Sequence, residues 1–379
     1  MVAIPEIILN DLHKNFGGCL AADGLSLKVS KGEYICVLGP TGSGKTTCLR
    51  MICGLTKPDK GRVLFDGVDI TDAPISERKA TMLSQAYSLF PPKTVYENVM
   101  FSPAIKEWDE HEARQLVKSM IMMVHMENKA ESYPAELSGG QQQRTALARA
   151  LASSSDILLL DEPLRALDAR LRLELRQELK SLVKEMGLTA IHVTHDQDEA
   201  IEMADRIAVI RKGKIVQIGT PMEVFRNPVT PFVANFVGRS NVFVGKVRSV
   251  CDEFSEIELE KGAIIKARKT DIPVGTDVAV AIKIGSTRIP AIPQPTAEKP
   301  EPEVPQGFFK GIVERILYEG ATITVEVEAE GIGLVSSKLP NRKYDDYKNG
   351  YEVMVTWRPE RASVFEIPPE GIEEELRLD

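Results

Sequence analysis

The sequence predicts an α/β domain with a largely parallel sheet, followed by a smaller all-β domain. From about residue 7 to residue 236, apolar strand-like runs alternate with amphipathic helical stretches, which is typical of helices that cover a parallel sheet. After residue 238 the pattern changes to short β-rich runs separated by Gly, Asp, Asn and Pro. A chain of 379 residues is long enough for two or three domains with their own cores. We therefore expect the α/β domain at residues 1–237 and the all-β domain at residues 238–379.

The composition restricts the classes of function that the chain can serve. The 47 basic and 55 acidic residues give a net charge of −8, which argues against broad electrostatic attraction to nucleic acid. The longest apolar runs, at residues 157–160 and 279–282, fall far short of the ~20 residues that a spanning helix needs. We therefore expect that the chain neither crosses a membrane by itself nor binds nucleic acid.

The first chemical motif lies between an apolar strand, Tyr34–Leu38, and an apolar helix that opens at Thr46. The run Gly39-x4-Gly44-Lys45-Thr46 has the spacing of a phosphate-binding loop, in which glycines let backbone N–H groups point at phosphate oxygens. We expect Lys45 to reach the β and γ phosphates and the Thr46 hydroxyl to ligate Mg²⁺; an ordinary strand-to-helix turn is the alternative. The nucleotide-binding residues predicted from this loop are Gly39, Pro40, Thr41, Gly42, Ser43, Gly44, Lys45, Thr46 and Thr47.

The second motif is an apolar run at residues 157–160 that ends in two acids, Asp161 and Glu162. Ligands of open α/β sheets bind beyond the carboxyl ends of the strands, which is where this run places both carboxylates. We assign Asp161 to Mg²⁺, through its waters, and Glu162 to the attacking water as a polarising base. Two solvated acids at an exposed strand end are the alternative.

The third motif, Leu137-Ser-Gly-Gly-Gln141, precedes a helical stretch at residues 145–152. Ser138 is a good N-cap residue, and Gly139 and Gly140 leave the amides of the first turn uncovered, which favours a second anion site. One chain does not need two sites for the same γ-phosphate. We therefore expect Ser138, Gly139, Gly140 and Gln141 to complete a nucleotide site on another copy.

These motifs, together with Val193-Thr194-His195, resemble the ATP-binding-cassette ATPases, specifically the subunits that energise bacterial and archaeal importers. The similarity extends over roughly residues 4–237, and the Leu-Ser-Gly-Gly-Gln run is highly specific to that family. The resemblance implies an α/β P-loop NTPase domain with a helical subdomain at about residues 86–155. It also implies hydrolysis of ATP with Mg²⁺ as cofactor.

The resemblance assigns roles to further residues. Gln85 lies where the family has a glutamine that contacts Mg²⁺ and water, so it joins Glu162 and His195 in the catalytic set. His195 matches the histidine that contacts the γ-phosphate, and Phe16 the aromatic residue that stacks on adenine. Asp168 matches the acid that signals across the dimer. The metal ligands expected on this basis are Thr46, Gln85 and Asp161.

The sequence departs from the family pattern at Arg165, where relatives usually carry a small Ser. The resemblance places this loop close to the phosphate loop of the partner subunit in a closed dimer. We expect the guanidinium of Arg165 either to repel the partner subunit's Lys45 or to bond an acceptor across the interface. An arginine that only extends into solvent is the alternative.

The β-rich end fits a small, partly open barrel of the oligonucleotide/oligosaccharide-binding type. Six prolines at residues 290–305 predict an extended segment that divides this end into two stretches. The end also resembles the accessory domain of importer ATPases. Gly238-Arg-Ser-Asn and Trp357-Arg-Pro-Glu favour the polyamine, opine, phosphonate and iron group of importers over the sugar group.

The resemblance implies a peripheral subunit on the cytoplasmic face of the membrane. Its expected partners are a second copy of the chain, or a close paralogue, in a head-to-tail dimer and two integral membrane permease subunits. An extracytoplasmic solute-binding protein would act indirectly. The alternatives are a sugar or glycerol-phosphate importer, a soluble non-transport ATPase, and a regulator that binds ATP without turnover. The single cassette without a coiled-coil insertion disfavours the second, and the presence of Glu162 disfavours the third.

Overall fold

The computed structural model describes residues 5–290 and 305–377 of the chain. The chain divides into two compact units, with the boundary between Val224 and Phe225. The sequence placed the boundary after residue 237, thirteen residues later. The structure places it earlier because the intervening segment contains a short helix that packs on two strands of the second unit. The predicted proline-rich segment at residues 290–305 lies outside the described residues except at its ends. No helix in the described ranges is long and apolar enough to cross a membrane.

In its described residues the first unit contains ten strands and six complete α-helices, and a seventh helix spans the boundary. The strands are β1 (Ile7–Phe16), β2 (Cys19–Val29), β3 (Tyr34–Leu38), β4 (Lys60–Phe65), β5 (Val68–Asp69), β6 (Ala80–Leu83), β7 (Ile157–Asp161), β8 (Thr189–Thr194), β9 (Arg206–Arg211) and β10 (Lys214–Gly219). The helices are α1 (Lys45–Cys53), α2 (Val95–Ile105), α3 (Glu110–Met123), α4 (Gly139–Ala152), α5 (Ala169–Glu185), α6 (Gln197–Met203) and α7 (Pro221–Arg226).

A six-stranded sheet in the order β10-β9-β3-β8-β7-β6 forms the centre of the first unit. Its strands are parallel except for β10, which runs antiparallel to β9. An antiparallel sheet in the order β2-β1-β4-β5 shares one apolar core with it, and α1 contributes Leu49, Met51 and Ile52 to that core. Because parallel strands end at the same edge, the residues that follow β3, β7 and β8 gather there.

The second unit is built almost entirely of antiparallel strands. Its elements are α8 (Pro231–Phe236), β11 (Ser240–Val250), β12 (Phe254–Leu259), β13 (Ile264–Arg268), β14 (Asp277–Lys283), β15 (Phe308–Tyr318), β16 (Thr322–Ala329), β17 (Gly333–Pro340), β18 (Glu352–Thr356), β19 (Ala362–Glu366) and α9 (Ile372–Leu376). The strands form two sheets, in the orders β13-β12-β11-β14-β19 and β17-β16-β15-β18, around a common apolar core. The fold class predicted from the sequence is confirmed for both domains.

The two β-rich stretches of the second unit are not separate modules. The last strand, β19, pairs antiparallel with β14, from Val278 opposite Glu366 to Ile282 opposite Ala362. The end of the chain therefore completes the sheet that the first stretch begins. Composition cannot show this pairing, because the partners are about eighty residues apart in the sequence.

Candidate functional site

The phosphate loop connects β3 to α1, as predicted. Gly44 caps the helix with φ of 101°, and a Cβ at this position would overlap the carbonyl oxygen of Ala21 on β2. Only glycine combines this backbone conformation with so close an approach. The amide of Gly213 also donates to the carbonyl of Ser43 at 3.0 Å. Both contacts hold the loop from outside.

Lys45 lies over the loop that precedes it. Its Nζ donates to the carbonyl oxygens of Gly39 at 2.9 Å and Pro40 at 2.7 Å, and the residue is buried. Burial lowers the pKa of Lys45, while the carboxylates of Glu162 and Asp161 act in the opposite direction. The ammonium is thus held at the mouth of the loop, where an anion would replace the carbonyls as its partner.

Two of the three residues expected to hold Mg²⁺, Thr46 and Asp161, meet at the sheet edge. The hydroxyl of Thr46 donates to the two carboxylate oxygens of Asp161 at 3.1 and 3.0 Å. Burial raises the pKa of Asp161, and the hydrogen bond from Thr46 opposes that shift only in part. Among the residues that the structure describes, no basic side chain forms an ion pair with Asp161. A hydroxyl beside such a buried carboxylate matches the oxygen ligands that Mg²⁺ prefers. The donor set therefore fits a divalent cation.

Glu162 is held in a strained backbone conformation directly after β7. Its φ is 51°, in the left-handed region that non-glycine residues seldom adopt. Its amide donates to Val193 O at 3.0 Å, and its carbonyl accepts from Gln143 Nε2 at 2.9 Å. These bonds to β8 and to α4 fix the conformation, and they direct the side chain away from the sheet toward His195.

The carboxylate of Glu162 contacts two side chains, the imidazole of His195 and the guanidinium of Arg165. His195 Nδ1 lies 2.9 Å from Oε1, and an Arg165 Nη donates to Oε2 at 2.7 Å. Burial by itself would raise the pKa of Glu162, but the hydrogen bonds from His195 and Arg165 outweigh it and hold that pKa below its ordinary value. Glu162 is therefore ionised, as a base must be. The contact from Arg165 lies within one chain, unlike the cross-interface contacts expected from the sequence.

The signature residues form the start of α4. Ser138 is the N-cap, as predicted, and its Oγ accepts from the Gln141 amide while Gln141 Oε1 accepts from the Ser138 amide. A Cβ at Gly140 would lie 3.0 Å from the carbonyl oxygen of Ala166, so this turn packs closely on the loop that follows Glu162. The start of α4 and the catalytic loop are thus one structural unit.

The remaining predicted residues lie at the margins of the site. Gln85 is in the exposed turn after β6, and in residues 5–290 and 305–377 no hydrogen bond joins it to Thr46 or Asp161. Phe16 is 51% exposed at the tip of the β1–β2 hairpin, with Lys14 Nζ 5.4 Å from its ring centroid. Asp168 is the N-cap of α5 and accepts from the Leu171 amide. Its position as a cap is structural, and its part in dimer signalling stays a prediction.

Two residues that support the site were not identified from the sequence. Gln143, buried on α4, donates to the Glu162 carbonyl and accepts from the Ala166 amide at 2.8 Å. Arg149, nearer the end of α4, donates to the carbonyls of Ser88 and Tyr87 in the segment after Gln85. Arg149 could have been noticed as a polar residue within the apolar run 146–152, whereas Gln143 lies in a polar run and gives no such signal.

Comparisons with known proteins cover both units of the chain. A family model described as ABC transporter matches residues 22–165, and a TOBE domain model matches residues 297–365. The chain is 38% identical over 357 residues to the spermidine/putrescine import ATP-binding protein PotA of Haemophilus influenzae, covering 93% of this chain and 94% of the relative. It is 36% identical over 367 residues to the protein of the same name from Thermotoga maritima, covering 96% and 98%.

Two solved structures resemble the first unit. One is described as the dimeric structure of a bacterial ABC transporter cassette, with a TM-score of 0.53 and 33% identity, covering 57% of this chain and 98% of the other. The second is a dimeric post-hydrolysis state of the same cassette with ADP and Pi bound, and it matches with the same values. Both the fold and the sequence similarity therefore extend over a complete cassette.

Proposed function

This chain belongs to the ABC transporter family as an importer-type ATP-binding subunit with a C-terminal OB-like domain, and we propose that it drives the import of a polyamine. It is an ATPase that binds ATP. The observation that carries the proposed solute is the extent of the match to proteins named for spermidine/putrescine import, 93–96% of this chain. A match limited to the ATPase domain would not distinguish polyamine importers from importers of other solutes. The match to these relatives also includes the second unit.

The residues of the site account for hydrolysis. Lys45 and the amides of the phosphate loop bind the β and γ phosphates, and Phe16 stacks on adenine. Glu162 accepts a proton from the attacking water, the water oxygen bonds to the γ-phosphorus, and the bond from that phosphorus to the β–γ bridging oxygen breaks to release ADP. His195, 2.9 Å from Glu162, couples the orientation of this base to the γ-phosphate. Mg²⁺, when bound by Thr46 and Asp161, with Gln85 beside it, would neutralise charge on the phosphate oxygens.

The second half of each nucleotide site is proposed to come from another copy. Ser138 and Gln141 use their amides in the capping hydrogen bonds, so the amides of Gly139 and Gly140 are the ones that would face an anion. This turn packs on the loop that carries Glu162. In a head-to-tail dimer this turn would close over ATP bound by the partner subunit, and Asp168 would transmit the closure. Gly140 packs on Ala166 of its own chain. When the signature turn closes over the partner subunit's ATP, the loop that carries Glu162 in the same chain would therefore move with it.

The proposed complex contains two copies of this chain or of a close paralogue, two permease subunits and a solute-binding protein outside the membrane. The chain would then lie on the cytoplasmic face of the membrane. Phosphonate and iron are the other solutes that the sequence favoured, and sugar and glycerol phosphate are the alternatives. None of these is named by the relatives quoted above.

Reconstitution with the permease and binding proteins encoded by neighbouring genes tests this proposal. The chain should co-purify with the permease subunits, and spermidine or putrescine should stimulate its ATPase activity in proteoliposomes. Maltose, glycerol 3-phosphate, a phosphonate and ferric iron serve as matched solutes in the same assay. Stimulation by one of these four but not by a polyamine would contradict the proposed solute, and failure to bind any permease subunit would contradict the transport role.

A further inference from the structure

A cluster of buried polar side chains lies between the central sheet and α6, and the hydrolysis mechanism does not use it. Its members are Tyr34 on β3, His192 and Thr194 on β8, and Glu199 on α6, none of them more than 4% exposed. The alternate residues of β8 belong to the apolar core on the other face of the sheet. Polar groups buried this deeply are costly unless they have partners.

The four side chains form a continuous series of contacts. Tyr34 Oη lies 2.9 Å from His192 Nδ1, and His192 Nε2 lies 3.5 Å from Glu199 Oε1. The hydroxyl of Thr194 donates to Glu199 Oε2 at 2.5 Å. Burial raises the pKa of Tyr34 and lowers that of His192, so the phenol stays protonated and the imidazole neutral. The phenol therefore donates to Nδ1, and the ring proton on Nε2 faces the carboxylate of Glu199.

The Thr194 hydroxyl connects this cluster to the turn that carries His195. The same oxygen that donates to Glu199 accepts from the amide of Asp196 at 3.0 Å, so it bonds across His195. Asp196 is itself held by two helices. Its Oδ2 accepts from Arg176 of α5 at 2.9 Å, and its Oδ1 accepts from the amide of Glu199 at 3.0 Å. The hydroxyl thus closes a turn that is anchored to both α5 and α6.

The position of the His195 imidazole depends on this turn. The side chain is 50% exposed, and in the part of the chain that the structure describes its only side-chain hydrogen bond is the one with Glu162. An exposed ring with a single hydrogen bond keeps its place only if its backbone is fixed. A misplacement of about 1 Å in a group that acts on the reacting atoms can lower a rate about 100-fold.

We propose that Glu199 and Thr194 are positioning residues that hold His195 for hydrolysis, with His192 and Tyr34 orienting the carboxylate of Glu199. The inference rests on the proposed role of His195 at the γ-phosphate. Glu199 acts through Thr194 and makes no contact with the nucleotide. Its loss should therefore lower kcat and leave ATP affinity, which the phosphate loop supplies, nearly unchanged.

The test is steady-state ATP hydrolysis by the assembled transporter, with ATP affinity measured in parallel. Thr194→Val removes the hydroxyl and Glu199→Leu removes its acceptor. Each should lower kcat about tenfold and leave the KM for ATP within about twofold, whereas Thr194→Ser, which keeps the hydroxyl, should stay within about threefold of the unsubstituted kcat. Thr189→Val is the matched control and should not change kcat. Thr189 is a buried threonine at the other end of β8, and its hydroxyl accepts from the Gly32 amide at 3.0 Å.

The double variant Thr194→Val/Glu199→Leu separates positioning from folding. It removes both partners of one buried hydrogen bond, so neither is left unpaired by the loss of the other. We expect it to be more stable in urea than either single variant, while its kcat stays about tenfold low. Recovery of the unsubstituted kcat in the double variant would show that the single variants lost activity through an unpaired buried group, and it would overturn the inference.

Variants in a His195→Ala background separate this inference from the proposed role of His195. His195→Ala should slow hydrolysis at least about tenfold, and Thr194→Val added to it should cost less than about twofold more, because no imidazole remains to be positioned. An unchanged rate for His195→Ala would contradict the role of His195 and overturn the inference with it. Slow hydrolysis by His195→Ala, with unchanged kcat for Thr194→Val and Glu199→Leu, would overturn the inference alone. A further tenfold loss in the combined variant would do the same.

Discussion

Replacement of Arg165 by Ser should raise the rate of ATP hydrolysis. In the structure Arg165 donates to Glu162 Oε2 at 2.7 Å, and this is one of the two contacts that lower the pKa of the base. The substitution frees that carboxylate oxygen for water and lets the pKa of Glu162 rise. A base of higher pKa that stays ionised at neutral pH accepts the proton of water more readily.

The size of the effect follows from the exposure of the pair. The Arg165 side chain is 57% exposed and that of Glu162 only 12%, so solvent screens the pair from one side. Ion pairs of this kind contribute about 0.2–1 kcal/mol. If this whole contribution changes the activation free energy of hydrolysis, the rate changes about 1.4- to 5-fold. We expect about threefold, or ~0.65 kcal/mol.

Steady-state hydrolysis by the assembled transporter, measured with nucleotide titration, tests this expectation. Nucleotide affinity should stay nearly constant, and the acid limb of the pH–rate profile should move to higher pH because Glu162 then protonates more easily. Arg170→Ser is the matched control, since Arg170 forms an exposed pair with Glu174 on α5. Matching rates and pH profiles for Arg165→Ser and the unsubstituted protein would refute the reasoning, as would a lower rate.

Three further predictions concern the phosphate loop and the independence of the first unit. Lys45→Ala should weaken ATP binding at least tenfold in a fluorescent-nucleotide titration, because the ammonium contacts phosphate in the ground state; unchanged affinity would remove Lys45 from its role. Gly44→Ala should lower the free energy of unfolding by more than about 1 kcal/mol in urea denaturation, because a positive φ is combined with overlap with Ala21. Gly42→Ala shares the positive φ (80°) but has no atom near its Cβ, so it should cost less, and equal losses would contradict this. A fragment of residues 1–224 should fold and bind ATP. A fragment that is insoluble or does not bind ATP would contradict the independence of the first unit.

The local parts of the site could be predicted because each is a short strand-to-loop pattern. The phosphate loop, the two acids after β7 and the capped start of α4 all depend on neighbours in the sequence. The spacing of Leu171, Leu175, Leu179, Leu182 and Met186 also predicts one apolar stripe on α5. Leu175 and Leu179 are buried, the other three are half-buried, and Gly187 is in the left-handed conformation after the helix end.

The contacts between these parts could not be predicted, since they join residues that are distant in the sequence. Gln143 reaches Glu162 and Ala166 only because α4 packs beside the end of β7. Arg165 was noted as unusual from the sequence, but its geometry with Glu162 depends on the backbone conformation of that acid. Side-chain partners of this kind follow from packing rather than from spacing.

The central claim is that Glu162 is the base that activates water for hydrolysis of ATP. Single-turnover hydrolysis by Glu162→Gln, with ATP binding and dimer formation measured in the same preparation, tests it most directly. Glu174→Gln, at an exposed acid on α5, is the matched control. We predict near-normal ATP affinity, hydrolysis slowed by about 100-fold or more, and a dimer that persists while ATP and Mg²⁺ are present. Hydrolysis at the rate of the unsubstituted protein would contradict the account.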